Sequence, residues 1–284
     1  MIIRDRFFRI LLFGAACAVI LLTAGLAYAL VSQSWEALAH FGLGKFITSS
    51  EWDPRSDTYG ALPFIAGTLL TASLALLFCF PFSLSVALFN GEYFFGKKIA
   101  AFLGSVVDLL AGVPSIVFGL WGFYMLRPLM VTAGANGQGF GILLASVVLA
   151  VMIIPYASSL STEFFAMVPN ELKEGAYSLG ATRQEVVRHI SIPVASSGIF
   201  ASYVLAFGRA LGETMAVTML IGNTNNLPRS LGDTGNTMAS LIANQFGEAG
   251  GLKLSSLMAI GLLLFLITAL INLLAKYILR VLSR

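Results

Sequence analysis

The sequence predicts an all-α integral membrane protein, with six transmembrane helices, both termini in the cytoplasm and a helical hairpin on the cytoplasmic face. Composition is the first reason: 57% of the 284 residues are hydrophobic and 11% charged, against about 25% charged in soluble domains. The second is six apolar stretches, at 10–31, 64–90, 99–126, 140–162, 198–222 and 254–275, each reaching the roughly 20 residues that cross a bilayer. The third is segregation of charge. The spans total 147 residues but hold only Asp108, Arg209 and Glu213, so 28 of the 31 charges fall in the other 137. The chain reads as one transmembrane domain over 1–284, with no alternating ten-residue pattern of a β-barrel.

Several classes of chemistry are excluded. A formal net charge of +3, scattered along the chain, gives no basic face for nucleic acid. Cys17 and Cys79 both lie in apolar runs and offer neither a disulfide framework nor a zinc site. His40 and His189 lie outside the spans and do not form a zincin helix.

Arg4, Arg6 and Arg9 precede the first span, and short cytoplasmic loops collect Lys and Arg. With the N-terminus inside, Lys97, Lys98, Lys173, Arg183, Arg188, Lys276, Arg280 and Arg284 join them, leaving Lys45, Arg55, Arg127, Arg229 and Lys253 outside. Ala27-Tyr28-Ala29 mimics a signal-peptidase site. The apolar run before it is longer than the roughly 7–15 residues of a signal h-region, so the span is expected to stay attached. Gly91-Glu92-Tyr93-Phe94-Phe95-Gly96-Lys97-Lys98 nearly spells a phosphate loop, but Lys98 stands where a metal-binding Ser or Thr belongs. It reads as a basic turn, so no ATP site is expected on this chain.

Pro114 interrupts the third span and is expected to kink or break it; Gly104, Gly112, Gly119 and Gly122 there favour close helix packing. The outside loops 32–63, 127–139 and 223–253 are too small for cores of their own. The cytoplasmic loop 163–197 reads as two short helices joined at Gly180. Asn170 is placed to cap the first, with Glu171 and Glu174 in its opening turn. Thr182-Arg183-Gln184-Glu185 has capping-box spacing, and Pro193 is expected to end the second helix before span five.

In span five, Arg209 and Glu213 are one helical turn apart, so the sequence predicts that they face the same way and pair. A mid-span charge costs about 2.5–3.5 kcal/mol on insertion scales. Two roles remain open: an ion pair that fixes helix packing, or a site on an anion path where the guanidinium fork holds two oxygens and Glu213 moderates the attraction. Gly208 and Gly212 let the helix expose backbone to a cavity or pack on a second subunit. Asp108, about a third of the way into span three, is expected to serve packing.

Glu174-Gly175-Ala176, three residues, Gly180, nine residues and Ile190-Ser191-Ile192-Pro193 resemble the cytoplasmic signature of the ABC importer permeases, Glu-Ala-Ala, three residues, Gly, nine residues, Ile-x-Leu-Pro. The chain departs from it at Gly175 and Ile192. The resemblance implies that the hairpin inserts into a cleft of a separate ATP-binding subunit, with Glu174, Gly175, Ala176, Gly180, Ile190 and Pro193 as its coupling residues. Asp108 to Gly122, Gly208 to Val217, Thr237 to Asn244 and Phe246 to Ala249 extend the resemblance to the phosphate-importer branch of that family, over nearly the whole chain.

That resemblance implies a transport subunit in the inner (cytoplasmic) membrane of a bacterium, with no cofactor of its own and ATP and Mg on the partner ATPase. Its implied partners are a second related permease subunit, two ATP-binding subunits and an extracytoplasmic phosphate-binding protein. It also favours a transport role for Arg209. Alternatives are a permease for another small oxyanion and an ion-driven secondary transporter. The latter usually shows internal repeats with interrupted helices, and no repeat is evident in the sequence. An intramembrane enzyme lacks a nucleophile with a base, or a metal cluster.

Overall fold

The structure, a computed structural model, describes residues 2–132, 134 and 138–282. Arg284 therefore lies outside the described residues, as do the side chains of Arg4 and Arg6. In chain order the elements are α1 (Ile2–Phe41), α2 (Leu43–Thr48), β1 (Trp52–Asp53), β2 (Thr58–Tyr59), α3 (Leu62–Leu88), α4 (Lys98–Ala111), α5 (Ser115–Trp121), α6 (Arg127–Thr132), α7 (Ile142–Ala166), α8 (Asn170–Ser178), α9 (Arg183–Val186), α10 (Ile192–Leu211), α11 (Met215–Leu220), α12 (Met238–Gln245) and α13 (Gly251–Leu282). Wider π-helical turns at Phe89–Tyr93, Gly122–Leu126 and Val187–Ser191 join α3 to the following bend, α5 to α6, and α9 to α10.

Among the described residues six helical segments are long and apolar enough to cross a membrane: Phe8–Phe41, Leu62–Tyr93, Ser115–Thr132, Ile142–Ala166, Arg183–Leu211 and Gly251–Val281. The number matches the sequence reading, but the third and fifth segments do not. The expected span 99–126 is two helices, α4 and α5, separated at Gly112–Pro114. Pro114 has no N–H to donate and disfavours a helical residue before it, so the break falls there. The expected span 198–222 ends at Leu211 and resumes as α11 after Gly212–Thr214.

α7 is the central helix. It packs against α3 along one side and α10 along another, and Ile142, Leu149, Ile153 and Phe165 on it are fully buried. α1 and α13 form a peripheral pair. The α1 helix continues ten residues past the expected end at 31, because Ser34 and Ala37 are fully buried where it meets α13. There the Ser255 hydroxyl enters the α1 hydrogen-bond ladder: it donates to the Gln33 carbonyl at 2.7 Å and accepts from the Ala37 N–H at 3.0 Å. A side chain inserted between residues i and i+4 opens the helix locally without stranding either group.

Two of the loops expected outside carry secondary structure and share a core. α2 and the antiparallel β1–β2 hairpin, with Trp52 opposite Tyr59, lie within 32–63. Together with α12 and the start of α13 they build a second core from Phe46, Trp52, Tyr59, Phe64, Met238, Leu241 and Leu257. No single loop holds this core; it exists because segments 46–64 and 238–263 share it. The Trp52 indole also donates to Gln245 at 3.1 Å. Carbonyls of Leu220, Leu231 and Asp233 accept the first N–H groups at the α7 N-terminus, from Gly141, Leu143 and Ile142, which a helix cannot satisfy internally.

The close approach of the Asn236 backbone to α3 requires glycine: a Cβ at Gly67 would sit 2.0 Å from the Asn236 carbonyl oxygen. Backbone cannot step aside as a side chain can. Gly67→Ala should therefore cost about 2–3 kcal/mol or more, whereas Gly25→Ala, with open space around the new methyl group, should stay within about 0.5 kcal/mol. Thermal unfolding of both variants in detergent checks the contrast.

Candidate functional site

The two interrupted spans meet. Gly119 on α5 lies so near α11 that a Cβ would be 2.7 Å from the Met219 sulfur and 3.2 Å from the Ala216 Cα. Gly122 stands as closely against Leu220 of α11 and Val148 of α7. These two of the four expected packing glycines are tight, while a Cβ at Gly104 would meet open space. The close approach sets α5 beside α11, each beginning at an interruption.

Backbone groups freed at the breaks are satisfied by nearby side chains. At the first, the Ala111 carbonyl accepts from the Tyr156 hydroxyl of α7 at 3.2 Å. At the second, the Ala216 N–H donates to the Glu213 carboxylate at 3.3 Å, and the Thr214 hydroxyl donates to the Gly212 carbonyl at 3.3 Å. Irregular backbone at membrane depth is tolerated only where such partners exist or where it lines a cavity.

The structure does not bring Arg209 and Glu213 together as an ion pair. The physical reason is the break between them: α10 ends at Leu211, so the one-turn spacing that would align their side chains is lost. Arg209 instead lies over the Tyr156 ring, its guanidinium carbon 4.2 Å from the centroid. Glu213 is half-buried and caps α11. Tyr156 thus ties Arg209 to the Ala111 break, a link that sequence spacing could not reveal because it joins α4, α7 and α10.

Arg209 is nevertheless exposed, and a Cβ at Gly208 would meet no atom within 4 Å. This face of α10 is uncovered within the chain. Asp108 is also exposed and lines a crevice of about 150 Å³ with Asn90, Ser158, Thr162 and Glu163.

The hairpin forms much as expected. α8 ends in a Schellman arrangement, with Gly180 at φ +87°, its N–H on the Tyr177 carbonyl at 3.0 Å and the Ala181 N–H on the Ala176 carbonyl at 3.1 Å. Thr182 and Glu185 close the capping box at α9.

Two details differ. Asn170 is the first residue of α8 rather than its cap; Pro169, extended and without a side-chain acceptor, occupies that place. Pro193 does not end the second helix, because the π-helical turn Val187–Ser191 carries the chain from α9 into α10. The wider turn absorbs the missing proline N–H.

Of the signature residues, Glu174 and Gly175 are exposed on α8, Ala176 and Ile190 are half-buried, and Pro193 is exposed at the start of α10. A Cβ at Gly175 would meet no atom within 4 Å, so the departure from alanine is structurally neutral. The residue that sequence reading missed is Leu179, 91% exposed at the turn, with Leu172 and Tyr177 exposed beside it. Together they form an exposed apolar patch on an otherwise polar turn.

The Tyr156 link is testable by substitution. Tyr156→Phe keeps the ring beneath Arg209 and loses the bond to Ala111, so it should cost about 1 kcal/mol. Tyr156→Leu loses both contacts and should cost at least ~0.5 kcal/mol more. Equal unfolding temperatures for the two variants would show that the ring face contributes nothing.

Residues 79–284 match the family model described as "Binding-protein-dependent transport system inner membrane component". The chain is 41% identical over 286 residues to the phosphate transport system permease protein PstC of Mesorhizobium japonicum, covering 94% of this chain and 87% of that protein. It is 40% identical to PstC of Haemophilus influenzae, over 92% and 88% of the two chains. It is 35% identical to the probable ABC transporter permease protein YqgH of Bacillus subtilis, over 93% and 87%.

Among solved structures, a chain of the bacterial alginate ABC transporter in complex with alginate pentasaccharide-bound periplasmic protein aligns with TM-score 0.67 at 17% identity, over 96% of this chain and 95% of that one. A chain of the inward-facing MetNI methionine ABC transporter aligns with TM-score 0.62 at 18% identity, over 82% and 100%. At such identities these two likenesses speak to fold alone. Six apolar helices and the family match make the chain a multi-pass inner-membrane permease subunit, which works with separate ATPase and substrate-binding subunits and is not itself the ATPase. The broken spans, the capped hairpin and the match over 79–284 lead to one conclusion, that the chain belongs to the binding-protein-dependent transport system inner membrane components.

Proposed function

We propose that this chain forms half of a membrane path for inorganic phosphate, paired with a second, related permease subunit. Two ATP-binding subunits supply the energy, with ATP and Mg held there, and an extracytoplasmic phosphate-binding protein delivers the ion. Both termini and the α8–α9 hairpin face the cytoplasm, as the distribution of Lys and Arg requires.

The single observation that carries this reading is the environment of Arg209: a charged side chain exposed on an uncovered helix face, next to two interrupted spans. Facing lipid it would cost about 2.5–3.5 kcal/mol, so a second subunit or an aqueous path must cover it. Glu213 already caps the α11 N-terminus through the Ala216 N–H, so the positive charge available to an anion at this break is the Arg209 guanidinium. The phosphate assignment draws on the PstC relatives, about 40% identical over more than 90% of the chain.

Arg209 is the phosphate contact in this reading, and Glu213 lowers the field around it so that the ion is released. Because the two do not pair, their substitutions are expected to act separately. Arg209→Gln should cut uptake by at least about tenfold, equivalent to 1.4 kcal/mol, with assembly intact. Glu213→Gln retains an acceptor for the Ala216 N–H and should slow release, lowering turnover. Uptake of radiolabelled phosphate into proteoliposomes checks this, and uptake unchanged in Arg209→Gln would overturn the contact assigned to Arg209.

Glu174, Gly175, Ala176, Gly180, Ile190 and Pro193, with Leu179 at the tip, form the surface that docks on the ATP-binding subunit. Gly180 is the sensitive position through its backbone alone, since a Cβ there would meet no atom. Gly180→Val should cost about 1–3 kcal/mol of local strain and uncouple ATP hydrolysis from uptake. Gly180→Asn, which tolerates the left-handed conformation, should be milder. Equal coupling in Val and Asn variants would remove the role assigned to the turn.

A further inference from the structure

Both limbs of the hairpin grip the same turn of another span. Lys173 on α8 forms an ion pair with Glu92 in the π-helical turn Phe89–Tyr93, Nζ to Oε2 2.7 Å, and the two side chains are only 15% and 5% exposed. Arg183, the first residue of α9, donates from Nη2 to the Glu92 carbonyl at 3.1 Å and to the Tyr93 carbonyl. Its guanidinium carbon also lies 4.7 Å from the centroid of the Tyr93 ring. Glu92 is thus held through its side chain by one limb and through its backbone by the other.

The turn they grip cannot move independently of the core. Its Gly91 packs on the cytoplasmic end of α7 so closely that a Cβ would sit 2.8 Å from the Phe165 Cβ and 2.9 Å from the Thr162 carbonyl oxygen. On its other side the turn continues directly into α3, the principal partner of α7. The hairpin itself continues through the π-helical turn Val187–Ser191 into α10, which carries Arg209. Its connection to α10 is covalent, whereas its connection to α3 runs through Glu92, Lys173 and Arg183. A buried ion pair is a poor source of net stability, yet breaking one partner is costly, which suits it to fixing geometry. Arg183 adds a planar donor stacked on an aromatic face, a geometry that Lys cannot reproduce.

We infer that Glu92, Lys173 and Arg183 are positioning residues for transport: they latch the hairpin to α3, so that its displacement moves α3 as well as α10. The inference rests on the reading of the hairpin as the ATPase contact. It adds the route by which movement enters a span to which the hairpin is not covalently joined.

The test uses the whole complex in proteoliposomes with binding protein outside and ATP inside. It reads radiolabelled phosphate imported per ATP hydrolysed, together with co-purification of the ATP-binding subunits. Glu92→Gln, Lys173→Met and Arg183→Lys should each keep the ATP-binding subunits bound while phosphate per ATP falls by about three- to tenfold. Exchange of the charges, Glu92→Lys with Lys173→Glu, should recover most of the ratio, which a role in folding alone does not require. An unchanged ratio in the single variants overturns the latch, as does an exchange variant that transports no better than they do. Loss of the ATP-binding subunits from all of them, the exchange included, also overturns it, since the residues would then serve only to fold the hairpin. The docking role is read separately from Gly180→Val, whose strained turn leaves the latch residues in place.

Discussion

In the interior of a bilayer, backbone N–H and C=O groups have no water to turn to, and the two interruptions at Gly112–Pro114 and Gly212–Thr214 leave such groups next to the apolar segments Ser115–Thr132 and Arg183–Leu211. Much of the surrounding structure depends on how they are satisfied. Tyr156 must be on α7 at the height of Ala111, Glu213 must turn back to the α11 N–H groups, and Thr214 must reach Gly212. These requirements draw α4, α7, α10 and α11 into one constellation. The glycines at 119 and 122 then allow α5 and α11 to stand side by side.

The same constraint explains the behaviour of the charges. Arg209 meets an aromatic ring within its own chain and is otherwise exposed. A permanently charged group in that setting requires a second subunit, an aqueous path or an anion beside it. By contrast, the Glu92–Lys173 pair is internally complete and nearly buried, as befits a joint between rigid parts. One charged region is therefore exposed on the outer face of a helix, and the other joins parts of the chain to each other.

Separation of these two regions is built into the helices that join them. α10 begins next to the hairpin and ends at Leu211, two residues beyond Arg209 and just before the Gly212–Thr214 break. Its continuity through the π-helical turn at Val187–Ser191, despite Pro193, keeps the hairpin and the interrupted span in one rod. A helix stopped at Pro193 would have decoupled them. α3 supplies a parallel route through its packing on α7 and its contact with the hairpin.

The sequence by itself determined what is local or compositional. The number of spans follows from apolar run length, the break at Pro114 from a missing N–H, the left-handed turn at Gly180 from the cost of a Cβ, and the Thr182–Glu185 box from spacing within one turn. Each of these depends on residues a few positions apart. Tertiary structure decided the rest. The expected Arg209–Glu213 pair presumed an unbroken helix, and nothing nearby in sequence announces that Gly212 ends α10. Likewise the loops at 46–64 and 238–263 each lack enough apolar area for a core, yet together they make one. Tyr156 beneath Arg209, Ser255 within the α1 ladder and Glu92 between two limbs of the hairpin all join residues that are distant in the chain. Periodicity reports which face of a helix is apolar, whereas the partner that face meets is set by packing of the whole bundle.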